Sequence, residues 1–411
     1  MARVDLSFSA FRSRPKAIGR DISRLPHCCQ RMDAHRAVHD KQKREETMIH
    51  SYHNPVSIHG GTGSLELLPQ VLRGRRAVVV TFPEARALGL VARLEALLGA
   101  DLVAVIEDIQ PNPDVAQLEG LYNSFWSDPD ACDAIVAVGG GSAIDTAKAL
   151  MVGTANCQFG SLVGLLATGM PFTPARVKSL IAVPTTAGTG SEVTPWATIW
   201  DARNQKKYSL HLDATWPEAA IIDASLMLSV PLGTTVSTGL DALSHALESV
   251  WNVNANPISD TYAISAAEDI LETLPALIHN ASDIMLRERM AMAALKAGLA
   301  FSNTKTALAH SISYEMTLRH GLPHGIACSF TLPMVLEKAW ACCPERDRAL
   351  QRLFGPSLPV AQDRLRDFLQ GLGVKTEFAD YGVSNDEADA IIARAMDGAR
   401  GKNFIGAMYA A

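Results

Sequence analysis

Cysteine is scarce and its spacing suits no framework of bridges: there are seven in 411 residues, with neighbours at Cys28/Cys29 and Cys342/Cys343 and no C-x-x-C. That usage excludes a disulfide scaffold and fits a reducing cytoplasm. Long apolar runs are missing too. Segments such as IIDASLML and AMAALKAGLAF stop well short of the ~18 residues of a membrane-spanning helix, so no membrane partner is expected. Nor is there an excess of positive charge, since 37 Lys and Arg stand against 43 Asp and Glu, a formal charge of −6. With no dense basic cluster beyond the N-terminus, a nucleic-acid partner is not expected. What the chain does have is 48% hydrophobic content and more length than one compact domain usually takes, so two domains are the starting expectation.

Residues 1–47 differ from the rest, with eleven Lys and Arg against six Asp and Glu and no apolar stretch of signal-peptide type. They read as a disordered basic arm or, the favoured alternative, as an upstream start assigned in error. Met48 opens the first stretch that reads as folded, MIHSYHNPVSIHGG.

From about residue 52 to 231, short β-branched runs alternate with helical patterns, which is how a parallel sheet covered by helices is written. Strands are expected at 77–82, 102–107, 134–138, 179–184 and 219–223, with helices such as EARALGLVARLEALLG and DVAQLEGLYNSFWSD between them. The segment EVTPWATIWDARNQKKYSLHL reads as a β-hairpin turning at DARNQ. After Pro231 the β-branched runs stop and Ala/Leu/Glu-rich segments follow one another. The expected organisation is an α/β domain over 48–231 and an all-α domain over 232–411.

AIVAVGGGSAIDTAKAL is a strand, a glycine turn and a helix. Glycines let backbone approach an anion closely, and the first amides of the helix point outward with the positive end of its dipole behind them. The spacing is not G-x-G-x-x-G, so a plain tight turn with Ser142 as N-cap stays open beside a phosphate site. A second polar loop, PTTAGTGSEVT at 184–194, follows another expected strand, where ligands of open α/β sheets tend to bind.

In STGLDALSHALESVW, residues 237–251, 100° per residue puts Leu240, Leu243, Leu247 and Val250 on one stripe and Asp241, His245 and Glu248 nearly opposite. Asp241 and His245 are thus one turn apart, able to share a divalent ion or to form a solvated pair. His310, in a helical stretch, and His324, in the Gly/Pro-bounded GLPHGIA loop, would complete a set suited to Fe(II) or Zn(II).

GGGSAIDTAK, PTTAGTGSEVT, GLDALSHALES and the His310-to-PHG spacing, in that order over about residues 52–400, resemble the iron-containing, or group III, alcohol dehydrogenases. The resemblance implies the dehydroquinate synthase-like fold, an N-terminal dinucleotide-binding α/β domain and an all-α C-terminal domain, with cofactor and metal between them. It implies Asp241, His245, His310 and His324 as metal ligands. It also implies Gly140, Gly141 and Ser142 at the pyrophosphate, and Asp145, Thr185, Thr186, Thr189 and Lys207 along the rest of NAD(H) or NADP(H). The ion would polarise a carbonyl as the nicotinamide delivers hydride, leaving the cysteines without a catalytic part. Two positions depart from the family pattern. Tyr314 stands where many members have a proton-relaying histidine, making Tyr314, His320 or water the candidates for that task. Phe82 stands where NAD-preferring members often have a ribose-binding aspartate, so NADPH is admissible, although Glu84 lies close.

TPWATIWD, KKYSL and NTKTALAHSISYEMTLRHGLPHG are similar to the subgroup that reduces phosphonoacetaldehyde to 2-hydroxyethylphosphonate. Burying a phosphonate requires cationic partners, for which Lys305, Arg319 and His320 are the candidates, or else residues of a solvated turn and a helix end. Thr194, Trp196 and Phe301 are implied to line the substrate pocket. The family often forms homodimers or larger assemblies. Alternatives are a lyase of the dehydroquinate-synthase type, a relative acting on neutral alcohols or diols, and an inactive assembly subunit.

Overall fold

The computed structural model describes residues 49–408, so the reading of residues 1–47 lies outside the described residues. Residues 52–408 belong to one compact unit. Its strands are β1 (Ser57–Gly60), β2 (Ala77–Thr81), β3 (Leu102–Ile106), β4 (Ala134–Gly139), β5 (Val152–Gly153), β6 (Arg176–Val177), β7 (Ser179–Pro184), β8 (Trp196–Asp201), β9 (Lys206–His211) and β10 (Ala219–Ile222). A six-stranded sheet runs β1-β10-β7-β4-β2-β3, parallel at every pairing. The expected hairpin is β8 with β9, antiparallel from Trp196↔His211 to Asp201↔Lys206.

Both faces of the sheet are covered, which is why its central strands read as unbroken apolar runs. Ile135, Ala137, Leu180 and Ala182 face α3 (Val115–Phe125), α4 (Gly141–Met151) and α5 (Phe159–Ala167). Val136, Val138, Ile181 and Val183 face α1 (Leu68–Leu72) and α2 (Leu90–Leu98). The chain order reverses between β2 and β4, which lie side by side with β3 outside β2. Parallel sheets offer a ligand crevice beyond the strand C-termini at such a reversal.

Two expectations shift locally. The helix expected from residue 84 begins at Leu90, because Pro83–Ala85 forms a 3-10 turn and Gly89 sits at φ 75. β1 was not foreseen: SIHG is an edge strand with a mostly exposed pattern and no β-branched run.

Pro231 precedes a helical region as expected: α6 (Leu232–Val250), α7 (Pro257–His279), α8 (Ile284–Thr304), α9 (Leu308–His320), α10 (His324–Ser329), α11 (Leu332–Ala339), α12 (Pro344–Phe354), α13 (Leu358–Gly371) and α14 (Asn385–Asp397). The starts are locally specified. Asn256 accepts from Ile258 N and Ser259 N ahead of Pro257, and Asp283 caps α8 through Met285 N and Leu286 N. α6 is the central helix of this region. Leu240, Leu243, Leu247 and Val250 are fully buried, each stabilising by about 1.5–3 kcal/mol, and Asp241, His245 and Glu248 on the opposite stripe are buried as well. The polar stripe is an interior surface, so the solvated-pair alternative for Asp241 and His245 is excluded. No helix among the described residues is long and apolar enough to cross a membrane.

Candidate metal and dinucleotide site

A cavity of about 930 Å³ opens between the C-terminal edge of the sheet and the helical region. At its inner end, α6, α9 and α10 converge on Asp241. From Asp241 Oδ1, the Nε2 atoms of His310, His324 and His245 lie at 3.3, 3.8 and 3.9 Å. Asp241 Oδ1, His310 Nε2 and His245 Nδ1 are buried without a hydrogen-bond partner. Orphaned buried acceptors are costly, and this set of a carboxylate and imidazoles suits a divalent transition metal, so the residues fit the implied ion.

Local structure fixes each group. His310 Nδ1 is 2.7 Å from Glu248 Oε2; donating its proton there leaves Nε2 as the lone-pair nitrogen facing Asp241. Glu248 also accepts from Ala307 N and His310 N. His324 was expected in a loop, yet it is the first residue of α10, reached through Gly321 at φ 69. A Cβ on Gly325 would fall 1.8 Å from Ser237 O, so only glycine lets α10 lie against α6. His245 stacks between Phe301 at 4.0 Å and His310 at 4.5 Å. Burial pushes His245 down to about 4, against the attraction of Asp241, so at neutral pH the ring has a free lone pair. Asp241 is opposed by burial, but His245 and the other two imidazoles prevail and hold it well below the carboxylate range.

The outer part of the cavity is the sheet's crevice. Gly140, Gly141, Ser142, Asp145, Thr185, Thr186, Thr189 and Lys207 all line it. α4 starts at Gly141, and Gly140 caps it without a side-chain bond. Ser142 is therefore not the N-cap; its Oγ accepts from Asn112 N. The glycines are needed for close approach, because a Cβ on Gly141 would lie 2.6 Å from Thr189 Cγ2 and one on Gly140 3.2 Å from Thr186 Oγ1. Asp145 accepts from Ser191 Oγ at 2.6 Å and from Thr198 N at 2.8 Å, tying α4 to the hydroxyl loop. Beneath that loop, fully buried Lys148 donates to Ser191 O, Ser191 Oγ, Thr194 O and Trp196 O over 2.6–2.8 Å. Phe82 and Glu84 line the far end.

Thr194, Trp196, Phe301, Lys305 and Tyr314 line the cavity, and Arg319 and His320 do not. Arg319 instead pairs with Glu315 at 3.5 Å, and His320 Nε2 lies against Glu387 Oε1 at 3.4 Å, away from the cavity, which corrects their assignment to substrate and proton transfer. The sequence reading missed Arg400, whose Nε donates to Thr306 Oγ1 at 2.9 Å. Its guanidinium lies 4.9 Å from the centre of the Tyr314 ring, and Lys207 Nζ lies 3.9 Å from it. Burial opposes ionisation of Tyr314, but Arg400 and Lys207 outweigh it and lower the phenol below its ordinary value.

Residues 55–224 match the family model described as iron-containing alcohol dehydrogenase, and residues 235–410 match the C-terminal part of the same family. The chain belongs to the iron-containing alcohol dehydrogenases. It is 34% identical over 336 residues to the NAD-dependent methanol dehydrogenase of Bacillus methanolicus, covering 79% of this chain and 86% of that one. Identity to the choline dehydrogenase of Bacillus subtilis (strain 168) is 31% over 366 residues, covering 85% and 89%. The solved structure of sulfoacetaldehyde reductase from Bifidobacterium kashiwanohense in complex with NAD+ superposes with a TM-score of 0.79 at 29% identity, covering 88% and 98%. As a member of this family the chain is an oxidoreductase, which sets aside the lyase alternative.

Proposed function

We propose that this enzyme is a metal-dependent, NAD(P)H-linked reductase of a small aldehyde bearing an anionic group, with phosphonoacetaldehyde, reduced to 2-hydroxyethylphosphonate, fitting best. The observation that carries the reading is a pair of cations lining the cavity, Lys305 and Arg400, neither paired with a carboxylate within 4.0 Å among the described residues. Unpaired cations in a half-enclosed site are suited to a charged ligand. The solved neighbour named for sulfoacetaldehyde, itself a short anionic aldehyde, supports it.

Asp241, His245, His310 and His324 would hold Fe(II) or Zn(II). Gly140, Gly141 and Ser142, with Asp145, Thr185, Thr186, Thr189 and Lys207, would hold NAD(H) or NADP(H). When bound, the ion supplies Lewis-acid polarisation of the carbonyl and the nicotinamide supplies hydride. The chain does the rest. Arg400 and Lys305 draw in the anionic end, while Trp196 and Phe301, 6.2 Å apart and stacked, wall the reacting carbon from water. Tyr314, one turn from His310 and lowered by its cationic neighbours, gives a proton to the product oxygen. Phe82 in place of a carboxylate leaves room for NADPH as well as NADH. The reading carries with it a cytoplasmic setting and a homodimer or larger homo-oligomer.

The test is a substrate panel on the Fe(II)- or Zn(II)-loaded protein with both nicotinamides. Phosphonoacetaldehyde should exceed propanal and lactaldehyde by about 100-fold in kcat/KM, the size of one or two charge-assisted hydrogen bonds, and Arg400→Met should remove most of that preference. Equal or better turnover of propanal would reject the anionic substrate and leave the family's activity standing.

A further inference from the structure

Three asparagines hold the strap between α8 and α9. Its successive carbonyls each accept from a side-chain amide: Thr304 O from Asn254 at 3.1 Å, Lys305 O from Asn252 at 3.0 Å and Thr306 O from Asn403 at 2.9 Å. In the middle of the strap Lys305 sits at φ 67, ψ 168, a region that glycine enters freely and residues with a Cβ seldom do. We propose that Asn252 is a positioning residue for substrate selection: with Asn254 and Asn403 it clamps the strap in this conformation, so that Lys305 is presented to the cavity where the anionic end of the aldehyde is received.

The proposal rests on the anionic-aldehyde reading above. Backbone held outside its preferred regions persists only where its surroundings over-determine it, and such places cluster at ligand clamps and active sites. Glycine at 305 would satisfy the backbone alone, so the lysine points to a use for its side chain. That side chain lines the cavity and has no carboxylate within 4.0 Å among the described residues. Asn252 is suited to holding it in place. It is 2% exposed, and its Oδ1 accepts from Asn254 N at 3.0 Å and Asn254 Nδ2 at 3.2 Å. Those bonds orient the amide and leave Nδ2 for Lys305 O. Asn252 also lies two residues beyond the end of α6, so the strap is tied to the helix that carries Asp241 and His245.

The same strap places the second cation. Arg400 Nε donates to Thr306 Oγ1 at 2.9 Å, and Asn403 reaches Thr306 O from the same C-terminal segment. That segment is joined to the end of α6 by Val253 N to Asn403 O at 2.8 Å and Ile405 N to Trp251 O at 3.1 Å. Ala307 N, next along the strap, donates to Glu248. Lys305, Arg400 and the Asp241 end of the cavity are thereby set in one frame. A strap released by loss of Asn252 lets Lys305 relax to a common backbone conformation and carries its ammonium out of that frame.

The test compares metal-loaded wild type, Asn252→Ala and Lys305→Gly on phosphonoacetaldehyde and propanal. Asn252→Ala should raise KM for phosphonoacetaldehyde by about 10-fold, the equivalent of weakening one charge-assisted hydrogen bond, while kcat and propanal turnover hold. Lys305→Gly should lose the same preference yet melt a few degrees higher, because glycine is at ease in that conformation. Adding Asn252→Ala to Lys305→Gly should cost no further selectivity, since both act through one side chain. A preference that survives Asn252→Ala, or an equal loss with both aldehydes, overturns the proposal. Should Asn252→Ala not fold, Asn254→Ala, at an exposed residue of the same clamp, is held to the same two outcomes. A lower melting temperature for Lys305→Gly would overturn the strained strap, and a wild type with no preference for phosphonoacetaldehyde would overturn the reading beneath it.

Discussion

Glu248 Oε2 lies 2.7 Å from His310 Nδ1, and the same carboxylate takes the backbone amides of Ala307 and His310 at 2.8 and 3.1 Å. One buried side chain thus sets the tautomer of a candidate metal ligand and the start of the helix that carries it. Glu248→Gln keeps the shape but offers a single acceptor oxygen to three donors. Metal affinity should fall about 10- to 100-fold, as is usual for a group that orients a ligand. A competition titration against a chelator reads it; unchanged affinity would leave Glu248 with no part in the site.

Gly325→Ala should detach α10 from α6, because the new methyl would stand 1.8 Å from Ser237 O and 2.9 Å from Ser237 Oγ. The serine hydroxyl can turn away, but its carbonyl oxygen and carbonyl carbon, the latter 2.6 Å from the methyl, are backbone and cannot. The variant should purify with little metal and yet bind NADH like the wild type, as shown by elemental analysis beside a fluorescence titration. Full metal content would show that His324 is dispensable or that the helix yields easily.

Gly141→Ala should have the converse signature. Its methyl would meet Thr189 Cγ2 at 2.6 Å and Thr189 Oγ1 at 2.9 Å, prising the helix start away from the hydroxyl loop. NADH affinity should drop by about 10-fold or more, the equivalent of one lost hydrogen bond to a charged group, with metal content retained. Loss of both together would point to a general folding defect.

Acid stability should depend on Asp223. It is fully buried and accepts from Gly63 N, Leu65 N and both Ser225 N and Oγ. Burial opposes its charge, but those bonds win and its folded-state pKa lies below the ordinary value. A depressed carboxylate stabilises the fold above its unfolded pKa, near 4, and that contribution disappears as pH falls through the folded value. Asp223→Asn should lower stability by about 1–3 kcal/mol at pH 7, and its Tm should fall less steeply than that of the wild type below about pH 4. Parallel melting profiles across that range would contradict this.

Much of the fold was legible because β2, β4, β7 and β10 are buried on both faces and so appear as plain apolar runs, whereas β1 at the edge leaves no such trace. The pairing of Asp241 with His245 followed from helical spacing, but spacing gives only relative direction: nothing local says that both stripes of α6 are buried, since that depends on α7, α8 and α10 packing around it. The misplacement of Arg319 was avoidable. Nine residues from His310 is two and a half turns, which puts Arg319 on the opposite side of α9, while four residues puts Tyr314 on the same side. Arg400 could not be anticipated, because it reaches the cavity from beyond α14, far along the chain from the motifs that define the site.

The ammonium of Lys148, closed in beneath the hydroxyl loop and held by oxygens of Ser191, Thr194 and Trp196, gives that loop its shape from inside the protein. Apo and holo forms should therefore share one loop conformation, with no ordering step charged against nucleotide affinity. Occupancy then follows the free nucleotide concentration directly, and exchange between oxidised and reduced dinucleotide becomes a matter of simple dissociation.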